Sequence, residues 1–403
     1  MSASATAAVL YAATVSPASI TGGQPEDVRD KLHHLGHGKG FTNPWESWKE
    51  MSGPTIMRTL IARRLKGQMK IPDTTPLTVP VRTPNFLPSR HTPDLRATWL
   101  GHACYYVEFP QGFRVLFDPV FSDRCSPFSW LGPKRYTEVP CHIEDIPTID
   151  AVVISHNHYD HMDHPTIMKI KAKHPNVHFF VPLGNKKWFA ESGIKEGVTE
   201  LDWWEERDIK LSPSASKSSV TRADVANAAS EKSEDIIARI GCLPCQHTSA
   251  RTLFDRGLTL WSSWSVESGG KKVYFGGDTG YRAVPQLAEG EDDYGPGHDY
   301  PSCPAFKQIG DLRGPFDLGL IPIGAYDPRW LFSPMHANPF DSVKIFQDTR
   351  CARAMGIHWG TWVLTEEDVL EPPQLLKKAL AKENIPEVGV FDVCDIGESR
   401  EFK

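Results

Sequence analysis

An α/β fold is predicted by three features of the sequence. Short runs rich in β-branched and aromatic residues at 97–100, 105–109 and 114–117 follow one another before any helical pattern begins in that part of the chain, which reads as a meander of strands. Strand-like runs at 151–154, 258–266, 272–275, 318–322 and 354–357 are then interspersed with helical patterns at 165–173, 184–192 and 339–348. With 403 residues, 40% hydrophobic and 23% charged, the chain can bury a large core, in one big α/β domain with extensions or in two smaller ones.

In chain order, residues 1–23 are rich in Ala, Ser and Thr and contain no Lys or Arg. They lack the basic region of a secretory signal and the arginines of a mitochondrial presequence, and disorder is expected there. Residues 24–90 are broken by Pro and Thr and read as an extended lead-in, so an N-terminal extension is assigned to 1–90 and the main domain to 91–403. Within the extension, residues 55–70 place Ile56, Leu60, Ile61 and Leu65 at helical spacing beside Arg58, Arg63, Arg64, Lys66 and Lys70, with no acidic residue. A basic amphipathic helix near Trp45 and Trp48 suits the headgroup layer of an anionic membrane, with Ile56, Leu60, Arg63 and Arg64 as the contacts. The plainer reading is a helix docked on the main domain with a solvated basic face. Two stretches of the main domain look inserted: 212–235, low in bulky apolar residues, and 282–302, centred on a Gly- and Asp-rich segment that would lie near the site described next.

Composition removes several classes of function. A formal net charge of −6 argues against a nucleic-acid binder that relies on a basic surface. The sequence has no apolar stretch of the roughly 18 residues a membrane-spanning helix needs, so membrane contact is expected to be peripheral. Eight cysteines over this length make no disulfide framework and favour a reducing compartment; Cys242 and Cys245 have the spacing of half a zinc site, but a second pair is missing and a structural role is preferred.

The chemistry concentrates in Ser155-His156-Asn157-His158-Tyr159-Asp160-His161, directly after the apolar run 151–154. A chain leaving a buried strand presents His156 and His158 at alternate positions, so both imidazoles point one way and one metal can take both. Asp160 and His161 follow in the turn and can address a second ion nearby, the arrangement of a binuclear metal hydrolase. Three more candidates, His247, Asp278 and His358, each close a strand-like run, and glycines beside Asp278 and His358 permit the tight turns that a shared site requires.

The pattern His-x-His-x-Asp-His followed at long range by His, Asp and His resembles the metallo-β-lactamase superfamily, whose early structural aspartate is matched by Asp118. Further stretches, TWLGHA at 98–103, GPKR at 132–135, LDWWEE at 201–206, WSSWSV at 261–266, GDTGY at 277–281, IPIGAY at 321–326 and IHWGT at 357–361, resemble the N-acylphosphatidylethanolamine-hydrolysing phospholipase D family from about residue 84 to 400. The resemblance implies a metallo-β-lactamase αββα sandwich, two packed mixed β-sheets flanked by helices. It implies two zinc ions, one held by His156, His158 and His247, the other by Asp160, His161 and His358, with Asp278 bridging. Nitrogen and oxygen ligands without thiolate suit zinc. Redox di-iron members of the superfamily resemble a pattern with a carboxylate where this chain has His158, which favours hydrolysis.

By the same resemblance, a metal-bridging hydroxide attacks the phosphodiester of N-acylphosphatidylethanolamine, releasing N-acylethanolamine and phosphatidic acid. Asp160 would orient the nucleophile, and metal-bound water, Asp160 or His336 would protonate the leaving oxygen, although the neighbours of His336 depart from the family pattern. Tyr159 would line the substrate pocket, while solvation is the expected role of Lys134 and Arg135. A phospholipid partner, a peripheral intracellular membrane surface of the endomembranes or mitochondria, and a homodimer are also implied. Two alternatives stand beside this reading: a lactonase-like or small-phosphodiester hydrolase of the same superfamily, since TWLGHA also resembles lactonase-like relatives, and a catalytically silent lipid-binding scaffold.

Overall fold

The computed structural model describes residues 11–75, 78–90, 92–213, 235–288 and 290–403. In chain order the strands are β1 (Tyr11–Pro17), β2 (His34–Leu35), β3 (Gly40–Phe41), β4 (Leu95–Gly101), β5 (Cys104–Glu108), β6 (Arg114–Phe117), β7 (Ala151–Val153), β8 (His178–Pro182), β9 (Val198–Leu201), β10 (Glu206–Pro213), β11 (Ile236–Leu243), β12 (Ser263–Ser268), β13 (Lys271–Phe275), β14 (Leu318–Pro322), β15 (Ala354–Ile357), β16 (Phe391–Asp392) and β17 (Ser399–Phe402). The helices are α1 (Gly53–Leu65), α2 (His164–Lys173), α3 (Lys186–Glu191), α4 (Ala305–Leu312), α5 (Arg329–Phe332), α6 (Pro339–Asp348) and α7 (Glu371–Lys382).

Two mixed sheets form the middle layers, one ordered β1-β10-β11-β12-β13-β14-β15-β16 and the other β17-β4-β5-β6-β7-β8-β9. Side chains of one strand serve two cores. Val115 and Phe117 of β6 and Ala151 and Val153 of β7 enter the large cluster that includes residues of both sheets, whereas Leu116 and Val152 join a second cluster with Ile167 and Ile170 of α2 and Phe189 of α3. Burial on both faces is why these strands read as unbroken apolar runs and not as alternating ones. Apolar residues of α4, α6 and α7, among them Phe306, Val343 and Leu380, pack into the large cluster. The layers are therefore helix, sheet, sheet, helix.

The meander β4-β5-β6 is antiparallel, as expected, and β6 to β9 continue in parallel. Three expectations need correction. Residues 11–17 are not disordered: β1 pairs antiparallel with β10 from Tyr11 opposite Pro213 to Pro17 opposite Arg207, with Tyr11, Ala13 and Val15 half-buried and their neighbours exposed. Small residues hid that alternation. The strand expected at 258–266 is Ser263–Ser268 instead, because the residues before it cross between the sheets: Leu260 N donates to Leu183 O and Ser262 N to Ser155 O.

The lead-in, finally, is not merely extended. It holds the β2-β3 hairpin as well as the helix expected at 55–70, α1, which Ser52 caps by accepting from Thr55 N and which ends at Leu65, with Gly67 at φ +66° just beyond. Most of the stretch 212–235 lies outside the described residues, between the paired strands β10 and β11. Segment 282–302 packs through Tyr294 on Asn338 and Asp341 at the start of α6. Among the described residues no helix is long and apolar enough to cross a membrane.

Candidate metal centre

The site lies where β7, β13 and β15 end at their carboxyl edges, a common location for function in α/β folds. β7 stops at Val153, and Asp118 fixes the chain just beyond it: its carboxylate accepts from Ser155 N at 2.7 Å, Ser155 Oγ at 2.5 Å and His161 Nδ1 at 2.6 Å. His156 and His158 thus lie past the strand, and the turn brings their rings together, His156 Nε2 being 2.8 Å from His158 Nδ1. Gly277, at φ +58°, lets the loop carrying Asp278 press against this turn; a Cβ there would stand 2.5 Å from Ser155 Cβ. His102, Asp118 and His358 all have positive φ, so backbone strain gathers around the centre.

Two groups of donor atoms converge. His156, His158, His247 and Asp278 form one, and His102, Asp160, His161 and His358 the other, with the donor atoms of each group within 4.8 Å of one another. Asp278 touches both: Oδ2 lies 3.7 Å from the Nε2 atoms of His156 and His247 and 3.2 Å from His161 Nε2, while Oδ1 lies 3.1 Å from His358 Nε2. Asp160 Oδ2 is 3.5 Å from His161 Nε2 and 3.4 Å from His358 Nε2.

Whether these residues fit a metal can be judged from what the remaining atoms do. Nδ1 of His161 donates to Asp118, Nδ1 of His247 to Met335 O at 2.9 Å, and Nδ1 of His156 to Ser155 Oγ at 2.8 Å, since that hydroxyl spends its own proton on Asp118. Each bond leaves an Nε2 lone pair aimed into the basin, the tautomer that a metal ligand needs. Among the described residues, buried His161 Nε2, His358 Nε2 and Asp278 Oδ1 find no hydrogen-bond partner.

The electrostatics agree. Burial works to raise the pKa of Asp160 and Asp278, yet His161 and neighbouring imidazoles outweigh it and hold both carboxylates well below their usual range. Burial opposes charge on His161 too, but Asp278, Asp160 and Asp118 overcome it and push that imidazole well up. His156 and His247 are held well below the ordinary imidazole value, chiefly by burial. Ionised carboxylates that draw positive charge onto His161 and, to about 9, onto His358, beside the neutral His156 and His247, favour a cation at the centre of the basin.

Every metal-ligand candidate read from the sequence is part of this basin, and His102 joins it unforeseen, with Nε2 3.1 Å from Asp160 Oδ2. The only signal for His102 was its place in TWLGHA. His336 is adjacent, its ring 5.1 Å from that of His247 and 5.3 Å from that of His358, with Nδ1 unpartnered. Tyr159 stands at the rim beneath Arg251, whose guanidinium lies 4.0 Å from the ring centre and donates to Asn157 O and Met162 O. Arg135 is not solvated: it is buried, stacks over Trp362 and donates to Ser122 O and Val120 O.

The four helix residues expected at a membrane do not belong to this basin and do not share one exposed face. Ile56 and Leu60 are half-buried, and Arg63 turns inward to pair with Glu366 at 2.7 Å, leaving Arg64 exposed. The exposed apolar stripe is instead Met57, Ile61 and Leu65, 48%, 52% and 82% exposed. An i, i+4, i+8 line faces outward because the intervening turn residues are drawn to the protein by that ion pair.

An αββα sandwich with a buried histidine–aspartate basin where its sheets meet is the scaffold of a metallohydrolase. The family described as "Beta-lactamase superfamily domain" matches residues 113–359. The chain is 36% identical over 375 residues to N-acyl-phosphatidylethanolamine-hydrolyzing phospholipase D 1 of Caenorhabditis elegans, covering 90% of this chain and 92% of that protein. It is 33% identical over 282 residues to the mitochondrial N-acyl-phosphatidylethanolamine-hydrolyzing phospholipase D of Saccharomyces cerevisiae, covering 70% of this chain and 50% of that protein. Among solved structures, the metallo hydrolase Igni18 of Ignicoccus hospitalis aligns with 77% of this chain and 98% of its own at 18% identity and a TM-score of 0.46. The chain belongs to the beta-lactamase superfamily and, within it, to the N-acylphosphatidylethanolamine-hydrolysing phospholipase D family.

Proposed function

We propose that the protein is a zinc-dependent phospholipase D that hydrolyses N-acylphosphatidylethanolamine to N-acylethanolamine and phosphatidic acid. The observation that carries this reading is the pair of donor groups meeting at Asp278, in a chain aligned along nine-tenths of its length with a relative named for that reaction. His156, His158, His247 and Asp278 would hold one zinc ion, and Asp160, His161, His358 and Asp278 the second. Such ions supply Lewis-acid polarisation of a phosphate oxygen and lower the pKa of water.

The protein's own groups do the rest. Asp118, Met335 and Ser155 fix the tautomers of His161, His247 and His156. Asp160, held by His102, orients the attacking oxygen at Oδ2. His336 stands beside the basin with Nδ1 unpartnered among the described residues; burial lowers its pKa to about 4, so it is neutral at pH 7 and takes a proton from the attacking water before passing it to the departing N-acylethanolamine oxygen. Tyr159 and Arg251 form one wall of the entrance, where the guanidinium offers a positive field to the phosphodiester.

The enzyme works at the surface of an internal membrane, with Met57, Ile61 and Leu65 entering the lipid and Arg58 and Arg64 meeting anionic headgroups; the yeast relative is named as mitochondrial. A homodimer belongs to the same proposal, and sedimentation equilibrium tests it. The function is tested by incubating protein of measured metal content with N-acylphosphatidylethanolamine, phosphatidylcholine and a lactone panel, and identifying products by mass spectrometry. Release of N-acylethanolamine and phosphatidic acid only by the metal-loaded protein is expected; turnover of lactones alone refutes the assignment.

A further inference from the structure

Three buried polar side chains that the proposed chemistry does not use, Asn43, Ser47 and Gln246, are paired with one another or with the backbone around His247. Asn43 Nδ2 donates to the main-chain O of His247 at 2.7 Å, while Asn43 Oδ1 accepts from Trp261 Nε1 at 3.3 Å. Ser47 Oγ donates to Gln246 Oε1 at 2.5 Å, and Gln246 Nε2 donates in turn to Ser47 O at 3.3 Å and to Pro334 O at 2.9 Å. Asn43 and Ser47 lie in the N-terminal region, 204 and 199 positions before the residues they hold.

These bonds fix His247 from both ends of the residue. Its carbonyl is held by Asn43 and its Nδ1 by Met335 O at 2.9 Å. Gln246 spans from Ser47 to Pro334, the residue before Met335, and so sets the gap across which that ring bond forms. The backbone of Gln246 is tied to the loop of Asp278 as well: its N donates to Thr279 Oγ1 at 2.9 Å, and its O accepts from Gly280 N at 2.8 Å. All of these partners stand on the side of His247 and Asp278, and none is Asp160, His161 or His358. Adhesion alone does not need such a network. The same N-terminal region already grips the main domain through Trp45, stacked on Trp203 with centroids 5.3 Å apart, and through His34 Nε2, 2.8 Å from Asp202 Oδ2. Buried amides and hydroxyls cost free energy unless each finds a partner, and a satisfied network admits few arrangements. What this one specifies is the position of His247.

We infer that Asn43 and Ser47 are positioning residues of the metal centre, which hold the loop of His247 at the setting that the first group of donors requires. The N-terminal region is then a working part of the site, apart from any contact with lipid. The inference rests on the zinc reading above, in which His156, His158, His247 and Asp278 hold one ion. Loss of an orienting partner weakens metal binding about 10- to 100-fold. Because Asn43 bonds the main chain of the ligand and Met335 still holds the ring, Asn43→Ala belongs near the lower end, about tenfold.

The test compares the full-length wild type with Asn43→Ala, Ser47→Ala and Ser47→Thr, and with His34→Ala as a control that loosens the same region at Asp202 without touching His247. Zinc affinities are measured by dialysis against graded chelator, and the surroundings of each ion by NMR of the cadmium-substituted protein. Asn43→Ala and Ser47→Ala are expected to weaken one of two zinc phases about tenfold and to move one cadmium resonance, with the other phase changed by less than about twofold. Ser47→Thr keeps the hydroxyl and should restore both phases. His34→Ala should lower the melting temperature of the metal-free protein and leave both phases in place. Phases that stay in place in Asn43→Ala and Ser47→Ala, or that weaken together in proportion to the fall in melting temperature, overturn the inference. A selective shift in a protein that cleaves no N-acylphosphatidylethanolamine would uphold the positioning role and refute the assigned reaction, whereas a wild type that binds no metal overturns both.

Discussion

Asp118→Asn changes one buried side chain that meets no substrate, yet the geometry requires it to disturb one metal group more than the other. Asparagine keeps a carbonyl oxygen for Ser155 N, but places an amide NH₂ where Oδ2 had accepted from Ser155 Oγ and from His161 Nδ1 at 2.6 Å. The serine hydroxyl can rotate and accept. His161 has no such freedom: it must lose the bond or move its proton to Nε2, the atom 3.2 Å from Asp278 and 3.5 Å from Asp160. A proton there replaces the lone pair that a cation would use. Loss of such an orienting carboxylate weakens metal binding about 10- to 100-fold, which corresponds to about 1.4–2.8 kcal/mol. Loss of the charge-assisted bond lowers folding stability by about 1.5–3 kcal/mol. Equilibrium dialysis against graded chelator, with metal counted by mass spectrometry, should give a two-phase curve in which one phase shifts further than the other. The phase assigned to His156, His158 and His247 should shift less, because Met335 O still holds His247 and Ser155 Oγ keeps a lone pair for His156 Nδ1. Two phases shifting equally, or neither shifting, would refute the argument that Asp118 acts chiefly through the tautomer of His161.

Other predictions follow from particular contacts. Burial first, and then Glu367, Glu371 and Glu366, raise the carboxyl of Asp327 to about 6. A carboxyl raised on folding destabilises the native state above pH 6 and ceases to do so below about pH 4, so Asp327→Asn should add about 1–2 kcal/mol at pH 7.5, after allowance for its partial exposure, and nothing at pH 4, as read by urea melts. His336→Asn should lower turnover of N-acylphosphatidylethanolamine by a factor on the order of 10²–10⁴ but reduce cleavage of an activated aryl phosphodiester far less; equal losses would mean that the imidazole does not protonate the leaving group. Replacing Met57, Ile61 and Leu65 together by Asp should weaken binding to anionic vesicles at least tenfold without lowering the melting temperature, since all three are exposed. Deleting the whole N-terminal region would be a poorer test, because it would also remove β1 from its pairing with β10.

What could be read from the sequence was local or periodic. The spacing of His156, His158, Asp160 and His161 places four donors within one turn in any fold that ends a buried strand before them, and glycine beside Asp278 and His358 marks tight turns wherever they fall in space. The unbroken apolar run before His156 signalled a strand covered on both faces, which the two clusters meeting at β7 explain. β1 escaped notice because its residues are small and its partner, β10, is nearly two hundred positions away. The direction of Arg63 was equally hidden: a basic residue on an amphipathic pattern looks the same whether it meets lipid or, as here, Glu366, three hundred residues later.

The sequence by itself therefore determined the donor chemistry, the strand ends that present it and the superfamily, since these depend on residue type and short-range spacing. Only the tertiary structure decided how those donors are used. It brought His102 onto Asp160, set the Nε2 lone pairs through Asp118, Ser155 and Met335, and joined both groups at Asp278. Each of these depends on contacts between segments far apart in the chain, made when the two sheets close on one another, and no local spacing encodes them.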